Sequence, residues 1–354
     1  MNRTIAAVGF VTGAVLVGTV SGQTGRHLNP MVDLLGAKKA IFGLGMPSAR
    51  GGGPGRGGAQ GTGGAALPGT PAPAPATPPP TPKTPLELAK DAISHPEADY
   101  FFSGGMERGV DNALPAFTTM ADAIVEAGGI AQKPFPRLLV PLNVKTPNIS
   151  TPEQAADPAK YIPNISKQLN AGVTTISFVE VDTAEELRQG IAAMRFASKG
   201  GTRPDDIGSA PKYWGLTEAQ YRRKADVWPL NPEGELVAWA IVETKEGLKN
   251  VREIAQVKGL GVLVPGAGTL GGVFSTTNAE GRRVRDDAAW EEAIQQVLAA
   301  CKEFKVPCGY PVSENDIETR MQQGFSVAIL QSFGDPAFRA VAKGRALSGR
   351  DKEK

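Results

Sequence analysis

The chain of 354 residues is long enough for one barrel-sized α/β domain, and its 41% hydrophobic content allows a packed core. Its 38 basic and 36 acidic residues leave a net charge of +2, which gives no reason to expect nucleic-acid binding. Two cysteines and two histidines exclude a framework of several disulfides and a zinc finger, and they leave little material for histidine-based catalysis.

Residues 1–22 have the pattern of a secretory signal peptide. One cation, Arg3, precedes an apolar run from Ile5 to Val20, and the small residues Ser21 and Gly22 follow it. Glycines dilute this run, and it is shorter than the roughly 20 apolar residues of a membrane span, so the pattern favours a cleaved leader over an anchor. The sequence therefore predicts an exported protein, periplasmic or secreted, with no membrane span after the leader is removed.

Residues 51–84 form a low-complexity segment with ten glycines and nine prolines among 34 residues. Such a composition buries little apolar surface and predicts a solvated stretch, flexible at first and stiffer towards its proline-rich end. A hydrophobic segment, residues 39–44, precedes it, which assigns residues 23–50 to the start of the fold. The low-complexity segment is therefore predicted to be an insertion between a first strand and its helix.

Short apolar runs alternate with helical patterns through the rest of the chain. The best helical pattern covers Asp286–Phe304, where apolar residues recur every three or four positions behind a capping Asp286. Two further helices are predicted over Leu114–Ala127 and Ala184–Met194. Eight strands are predicted over Ala40–Leu44, Tyr100–Ser103, Leu138–Leu142, Thr174–Val179, Val237–Val242, Gly261–Val264, Pro307–Tyr310 and Val327–Leu330.

Eight alternating units in about 300 residues are typical of a closed (β/α)8 TIM barrel. No G-x-G-x-x-G motif follows the first strand, which counts against a dinucleotide-binding sheet. We expect the barrel to occupy residues 85–347 after its first strand, with a charged tail over residues 348–354. Because barrel enzymes place their chemistry at the carboxyl ends of the strands, the residues that follow each strand are the candidates for a site.

Several segments resemble the HpcH/HpaI aldolase/citrate lyase family of barrel enzymes. The most specific match is Ile241-Val-Glu-Thr-Lys-Glu-Gly-Leu248, which resembles the family's "QIETxEAL" stretch. The other matching segments, spread between about Lys39 and Leu330, are Asn170–Ile176 with Asp182–Leu187 ("AG…GI…NTAEEA"), Met194–Phe196 with Lys199–Arg203 ("RYPPxGxRG"), Gly259–Val264 with the following glycine loop ("GVDGLFIGPADL"), and Ala300–Gly309 ("ARAAGKPAGI"). Their order and spacing make the resemblance fairly specific.

The resemblance implies carbon–carbon bond cleavage or formation next to a pyruvate-type enolate held on a divalent metal ion, Mg²⁺ or Mn²⁺. It places one metal-binding carboxylate at Glu243, after strand five. At the second family position, Thr269 replaces an Asp, which predicts weaker metal binding. Glu180, which ends strand four, is expected either to replace that missing carboxylate or to lie in solvent on the rim.

Two further departures from the family affect catalysis. The family's "D-x-E-H-G" loop, which supplies a histidine base, reads Gly105-Met106-Glu107-Arg108-Gly109 here, and a guanidinium cannot accept a proton near neutral pH. The family's strand-three Arg, which binds the oxo-acid carboxylate, aligns with Val140. Arg108 or Lys145 is therefore the candidate for carboxylate binding, and Glu107 with Arg108 forms either a catalytic pair or a surface ion pair.

Three other features remain open between a functional and a structural role. The loop of Gly266, Ala267 and Gly268 either binds a carboxylate through backbone N–H groups or forms a tight turn. Arg203 is either a rim contact to substrate or a solvated side chain. Cys301 and Cys308 are either small buried hydrophobic residues or, in an exported protein, a disulfide.

The sequence thus supports two hypotheses from different classes. The first is a carbon–carbon lyase that acts on a small 2-oxo acid with a metal ion at Glu243. The second is a non-catalytic barrel that binds a carboxylate ligand or a partner protein. In either case the resemblance implies a homo-oligomer, and the expected ligand is a small carboxylate or oxo acid.

Overall fold

The computed structural model describes residues 27–48, 81–131, 137–147 and 157–352. The predicted signal peptide and most of the predicted insertion lie outside these residues. Among the residues described, no helix has the length and apolar character needed to cross a membrane.

The described chain forms an α/β fold around a curled parallel sheet. The strands, in chain order, are β1 (Ile41–Gly45), β2 (Tyr100–Ser103), β3 (Leu142–Thr146), β4 (Thr175–Phe178), β5 (Leu236–Val242), β6 (Leu260–Pro265), β7 (Gly309–Pro311) and β8 (Val327–Ile329). Strands β1 to β6 form five consecutive parallel pairs, from β1 with β2 to β5 with β6. In addition, β7 pairs in parallel with β8, and β8 pairs in parallel with β1. A single parallel bridge between Leu263 and Cys308 links β6 to the segment that enters β7. This order is consistent with the predicted barrel.

The first helix precedes β1 and packs Met31, Val32 and Leu35 into the cluster inside the sheet, and the other helices follow the strands. The helices are α1 (Pro30–Gly36), α2 (Pro85–Ile93), α3 (Val110–Glu126), α4 (Pro158–Asn170), α5 (Ala184–Met194), α6 (Ala210–Trp214), α7 (Glu218–Lys224), α8 (Lys245–Lys249), α9 (Val251–Ala255), α10 (Ala267–Val273), α11 (Asp287–Phe304), α12 (Ile317–Gln323) and α13 (Asp335–Leu347). Three short extra pairings also occur: Ile130–Ala131 with Arg137–Leu138, Ser275–Thr277 with Arg283–Arg285, and Val227–Trp228 with β5.

The two faces of the sheet bury different apolar clusters. Along β5, Val237, Trp239 and Ile241 belong to the cluster inside the curled sheet, whereas Ala238 and Ala240 belong to the cluster under the helices. This alternation follows from the two-residue period of a strand. Continuing the inward series by two residues brings Glu243 to the interior at the carboxyl end of β5.

The third strand lies four residues later than the sequence predicts. The predicted strand Leu138–Leu142 begins instead in a short antiparallel pairing, where Leu139 donates its N–H to Gly129. Pro141 has no N–H to donate to a ladder. The parallel strand β3 therefore begins at Leu142, and Lys145 lies within it rather than in the loop that follows.

Both predicted limits of the barrel also differ in the structure. Thr84 caps α2 and forms a capping box with Glu87, so the packed fold resumes before residue 85. At the other end, Arg350 is buried and donates to both carboxylate oxygens of Asp99, at 2.8 and 2.9 Å. Lys83, Thr84 and Arg350 thus make contacts within the folded domain, although the sequence assigns them to the insertion and to a charged tail.

Candidate functional site

A cavity of about 100 Å³ lies at the carboxyl ends of the strands, where the barrel fold predicts a site. Strands β2 to β8 and the loops that follow β6 and β8 all contribute to its wall. The lining residues are Phe102, Lys145, Ser177, Trp239, Ile241, Glu243, Val264, Pro265, Gly266, Ala267, Gly268, Thr269, Pro311, Ile329 and Gln331. The predicted residues Lys145, Glu243, Gly266, Ala267, Gly268 and Thr269 therefore meet at one cavity.

Lys145 brings a positive charge to this cavity from β3. Its ammonium donates to Glu107 Oε2 at 3.0 Å, and its backbone carbonyl accepts from the Gln168 side chain at 2.8 Å. Glu107 thus pairs with Lys145. It does not form the surface ion pair with Arg108 that was one of the two alternatives from the sequence. Val140, which the sequence alignment placed opposite the family's carboxylate-binding Arg, lies buried ahead of β3. The cation that β3 presents to the cavity is Lys145.

Glu243 is the buried carboxylate of the cavity, with 3% of the residue exposed. Its Oε1 accepts the backbone N–H of Glu180 at 3.1 Å. Burial raises the pKa of Glu243, against the lowering effects of the Thr269 hydroxyl and the Lys145 charge. The carboxyl group therefore binds protons more readily than an exposed glutamate does.

Gly266 allows the loop after β6 to approach Glu243 closely. A Cβ atom at this position would lie 2.5 Å from Glu243 Oε2 and 3.0 Å from its Cδ, which is too close for any side chain. Gly266 has a φ of −74°, so a positive φ does not explain the glycine, and the contact with Glu243 does. Ala267 and Gly268 line the same cavity at the start of α10.

Glu180 contributes its backbone, not its carboxylate, to the Glu243 contact. The residue adopts a positive φ of 48°, which turns its N–H towards Glu243. Its side chain lines an outer, more polar cleft of about 670 Å³, together with Glu107 and Arg108. Arg108 therefore lies beside the cavity, at the rim of the barrel mouth, which is the opening formed by the carboxyl ends of the strands.

The donor set does not fit a divalent metal ion well. Mg²⁺ and Mn²⁺ prefer several hard oxygen ligands, but the cavity offers one carboxylate, Glu243. That carboxylate already accepts hydrogen bonds from Thr269 and Glu180, and the Lys145 ammonium acts on the same group. In the described ranges, no group of three or more His, Cys, Asp or Glu side chains is arranged to hold a metal.

Arg203, a predicted substrate contact, lies away from the mouth. It is fully buried, stacks on Phe196 at 4.4 Å, and donates to Asn170 and to the hydroxyl of Tyr221. Two of its three nitrogens, Nε and Nη1, have no hydrogen-bond partner. Its contacts are those of a packing residue between α4 and α7.

Neither histidine reaches the mouth. His27 lies 3.4 Å from Glu235, just before β5, and His95 stacks on Phe338 just before β2. Neither histidine lines the cavity or the outer cleft.

Cys301 and Cys308 form a disulfide, which resolves the alternative that the sequence left open. The bond joins the end of α11 to the segment that enters β7. Both residues are buried, and they line a separate cavity at the amino ends of the strands. Neither cysteine lines the cavity at the mouth.

Sequence reasoning missed several wall residues, among them Ser177 and Gln331. Ser177 is fully buried and donates to Asn143 on the neighbouring strand β3, at 2.8 Å. Asn143, Lys145 and Ser177 are polar residues that face the inside of the sheet, where an apolar pattern is expected. The sequence signal for Ser177 is the polar residue at every second position of β4, Thr175 and Ser177, as for Asn143 and Lys145 on β3.

The profile of the HpcH/HpaI aldolase/citrate lyase family matches residues 151–330, just over half of the chain. The chain belongs to this family. A member of this family from Burkholderia cenocepacia J2315 has a similar structure, with a TM-score of 0.58 and 17% identity over 91% of this chain and 98% of that one. The family includes aldolases and citrate lyases, so carbon–carbon bond chemistry is its general activity.

Two more solved structures share the fold. The citrate synthase SbnG has a TM-score of 0.55 and 14% identity, over 93% of this chain and 100% of that one. The HpcH/HpaI aldolase from Desulfitobacterium hafniense DCB-2 has a TM-score of 0.53 and 14% identity, over 91% and 96%. At such identities the likeness shows the fold alone. A search of curated protein sequences finds no match.

Proposed function

We propose that the mouth of this HpcH/HpaI-family barrel binds a small 2-oxo acid and makes or breaks a carbon–carbon bond through its enolate. Lys145 binds the carboxylate of the substrate, and Glu243 accepts a proton from C3. The observation that carries the proposal is that Lys145 and Glu243 line one cavity of about 100 Å³ at the carboxyl ends of β3 and β5.

The proposed step needs only groups that the chain holds. The proton at C3 of the oxo acid moves to the Glu243 carboxylate, the C–H electron pair forms the C2–C3 double bond, and the carbonyl oxygen becomes an enolate oxygen. A base works best when its pKa lies near the working pH, and burial moves Glu243 in that direction. The enolate carbon then attacks the carbonyl carbon of an aldehyde, and the alkoxide that forms takes the proton back from Glu243. In cleavage, Glu243 accepts the proton of the aldol hydroxyl while the C3–C4 bond breaks and its electron pair forms the enolate.

The outer cleft provides room for the second reactant. Its lining of Glu107, Arg108, Asp111 and Glu180 is polar and charged. A hydrophilic aldehyde suits such a surface better than an aromatic one does. Arg108, which makes no hydrogen bond or ion pair with another described residue, is free to bind an anionic group of that reactant.

The alternative is a non-catalytic barrel that binds a carboxylate ligand. One observation favours it: Arg108 stands where the family has a histidine base, and neither histidine lines the cavity or the outer cleft. In this alternative, Lys145 binds a carboxylate and Glu243 transfers no proton.

Hydrogen–deuterium exchange at C3 of pyruvate separates the two functions without knowledge of the aldehyde. The full chain is incubated with pyruvate in D₂O, and proton NMR follows loss of the methyl signal. We expect exchange with wild type and at least a tenfold slower exchange with Glu243→Gln. Glu246→Gln, at an exposed carboxylate one turn away, is the control and should behave as wild type.

The outcomes are distinct. Pyruvate binding without exchange, measured by calorimetry, supports the non-catalytic alternative. Exchange that persists unchanged in Glu243→Gln contradicts the assigned proton acceptor. Neither binding nor exchange contradicts the proposed ligand class.

We also propose that the protein is exported, with residues 1–22 removed, and that it is a homo-oligomer. The buried disulfide supports export, because such bonds persist in oxidising compartments. Intact-mass measurement of the protein from its native cell envelope tests the cleavage: a mass that still includes residues 1–22 contradicts it. Light scattering of the same sample gives the oligomeric state.

A further inference from the structure

We infer that the Lys145 ammonium supplies at the mouth the positive charge that a divalent metal ion supplies elsewhere in the family, so that a small 2-oxo acid binds without a metal. This inference rests on the proposed ligand class. It concerns the source of the charge, not the choice of ligand, and its test separates the two.

The first support is the chemistry of the donors. A dication needs several anionic or neutral oxygen ligands with free lone pairs. Here Glu243 accepts from the Glu180 N–H, and Thr269 donates its hydroxyl proton to the same carboxylate. A hydroxyl in this position adds a hydrogen bond to Glu243 and brings no negative charge for a metal.

The second support is the position of the only cation among the described residues that line the cavity. Lys145 stands on the inward face of β3, and its side chain is 20% exposed. Its charge opposes part of the rise in pKa that burial causes at Glu243. A dication next to Glu243 would be repelled by this ammonium, since the two positive charges would share a small cavity of low polarity.

The third support is the way Lys145 is held. An ammonium has three N–H donors, and one of them is directed to Glu107 at 3.0 Å. Gln168 holds the backbone of the same residue from outside the sheet. The remaining donors are available to the carboxylate and carbonyl oxygens of a ligand, and Glu107 fixes the direction of the side chain.

The fourth support is the size of the cavity. A volume of about 100 Å³ has room for several water molecules. It therefore suits a ligand of a few non-hydrogen atoms, and the ammonium is within reach of such a ligand across the cavity. A metal with its own water ligands would fill much of this space.

Calorimetric titration of oxalate, a planar dianion shaped like the enolate of pyruvate, tests the inference with the full chain. Wild type is titrated in EDTA and, separately, in MnCl₂. We expect the same dissociation constant in both, and at least tenfold weaker binding by Lys145→Met. Lys145→Arg keeps the charge and should retain most of the affinity, which guards against a loss caused by misfolding.

Lys249→Met removes an exposed lysine, 73% exposed, and should bind as wild type does. Oxalate binding that requires Mn²⁺, or that is unchanged in Lys145→Met, overturns the inference but leaves the proposed ligand class intact. If neither oxalate nor pyruvate binds with or without Mn²⁺, the inference and the proposed function both fail.

Discussion

At the residue scale, the mouth depends on one contact that a side chain would prevent. Gly266 places the loop after β6 against the Glu243 carboxylate, and Thr269 hydrogen-bonds to that carboxylate from the same loop. The position of Glu243, and hence the proposed proton transfer, follows from the absence of a Cβ atom at residue 266.

Gly266→Ala should therefore slow pyruvate exchange at least tenfold. The added methyl must displace Glu243 or the loop, and overpacking of this kind costs about 1–3 kcal/mol of stability. Gly268→Ala is the matched control, since a Cβ there has no neighbour within 4 Å. Equal exchange rates in the two variants would contradict the role given to this contact.

Arg203 offers a second test at this scale, because it is a buried cation with no carboxylate partner. Burying a charge without an opposite charge is costly, so an apolar side chain of similar volume loses little stability there, whereas breaking a buried ion pair costs about 3–5 kcal/mol. Arg203→Met should thus change the free energy of unfolding little and leave pyruvate exchange as in wild type. Arg195→Met, which breaks the pair with Asp226 at 2.6 Å, should destabilise strongly. Denaturant unfolding compares the stabilities of the two variants. Loss of pyruvate exchange in Arg203→Met would show that Arg203 takes part in the reaction and would contradict its assignment as a packing residue.

At the scale of elements, the start of α2 marks where the low-complexity segment ends. Thr84 accepts from the Glu87 N–H, Glu87 accepts from the Thr84 N–H, and Lys83 pairs with Asp91 at 2.5 Å. These contacts tie residues 83–84 to the helix, although their composition continues that of the segment before them.

Replacing residues 51–80 with a short Gly-Ser linker should leave the melting temperature nearly unchanged, because loop closure entropy varies slowly with length. Replacing residues 51–84 removes the cap of α2 as well and should cost about 1 kcal/mol. Thermal unfolding of both variants measures the difference. A large fall with the shorter replacement would show that the segment packs on the barrel.

The entry to α1 is sensitive to pH through His27 and Glu235. Glu235 is fully buried and accepts the N–H groups of Leu28 and Asn29, at 3.1 and 2.9 Å, beside His27. The nearby carboxylate raises the pKa of His27 above 6.5, against burial, which lowers it. Charged His27 therefore stabilises the fold below pH 6.5, and this contribution is lost as the pH rises through the raised pKa.

His27→Gln should consequently lower the melting temperature at pH 6 and have less effect at pH 9. In a Glu235→Gln background, the same substitution should lose its pH dependence, which makes a double-mutant cycle the control. An effect of His27→Gln that is as large at pH 9 as at pH 6 would contradict the assigned ion pair.

At the scale of the whole molecule, the sequence predicted the parts that local rules determine. The bounds of α5 agree at both ends because Thr183 and Glu186 form a capping box. The bounds of β5 agree within one residue because its seven residues are all buried and apolar. The third strand was misplaced because Asn143 and Lys145 face the inside, which breaks the apolar pattern that identifies a strand.

The site was only partly predictable for a related reason. The family motif identified Glu243 and Thr269 at once. The pairing of Lys145 with Glu107 joins a residue of β3 to one in the short helical turn after β2, 38 positions away, so only the fold brings them together. The misplaced strand also assigned the position of the family's Arg to Val140, and hid the cation that β3 carries to the cavity.

The most direct test of a 2-oxo acid site that draws its positive charge from Lys145 is a crystal structure of the full chain soaked with pyruvate and Mn²⁺. The ligand carboxylate should lie at hydrogen-bond distance, about 3 Å, from Lys145 Nζ. No Mn²⁺ should lie between the ligand and Glu243, as anomalous scattering would show. Pyruvate bound outside this cavity, or Mn²⁺ bridging the ligand and Glu243, would contradict the account.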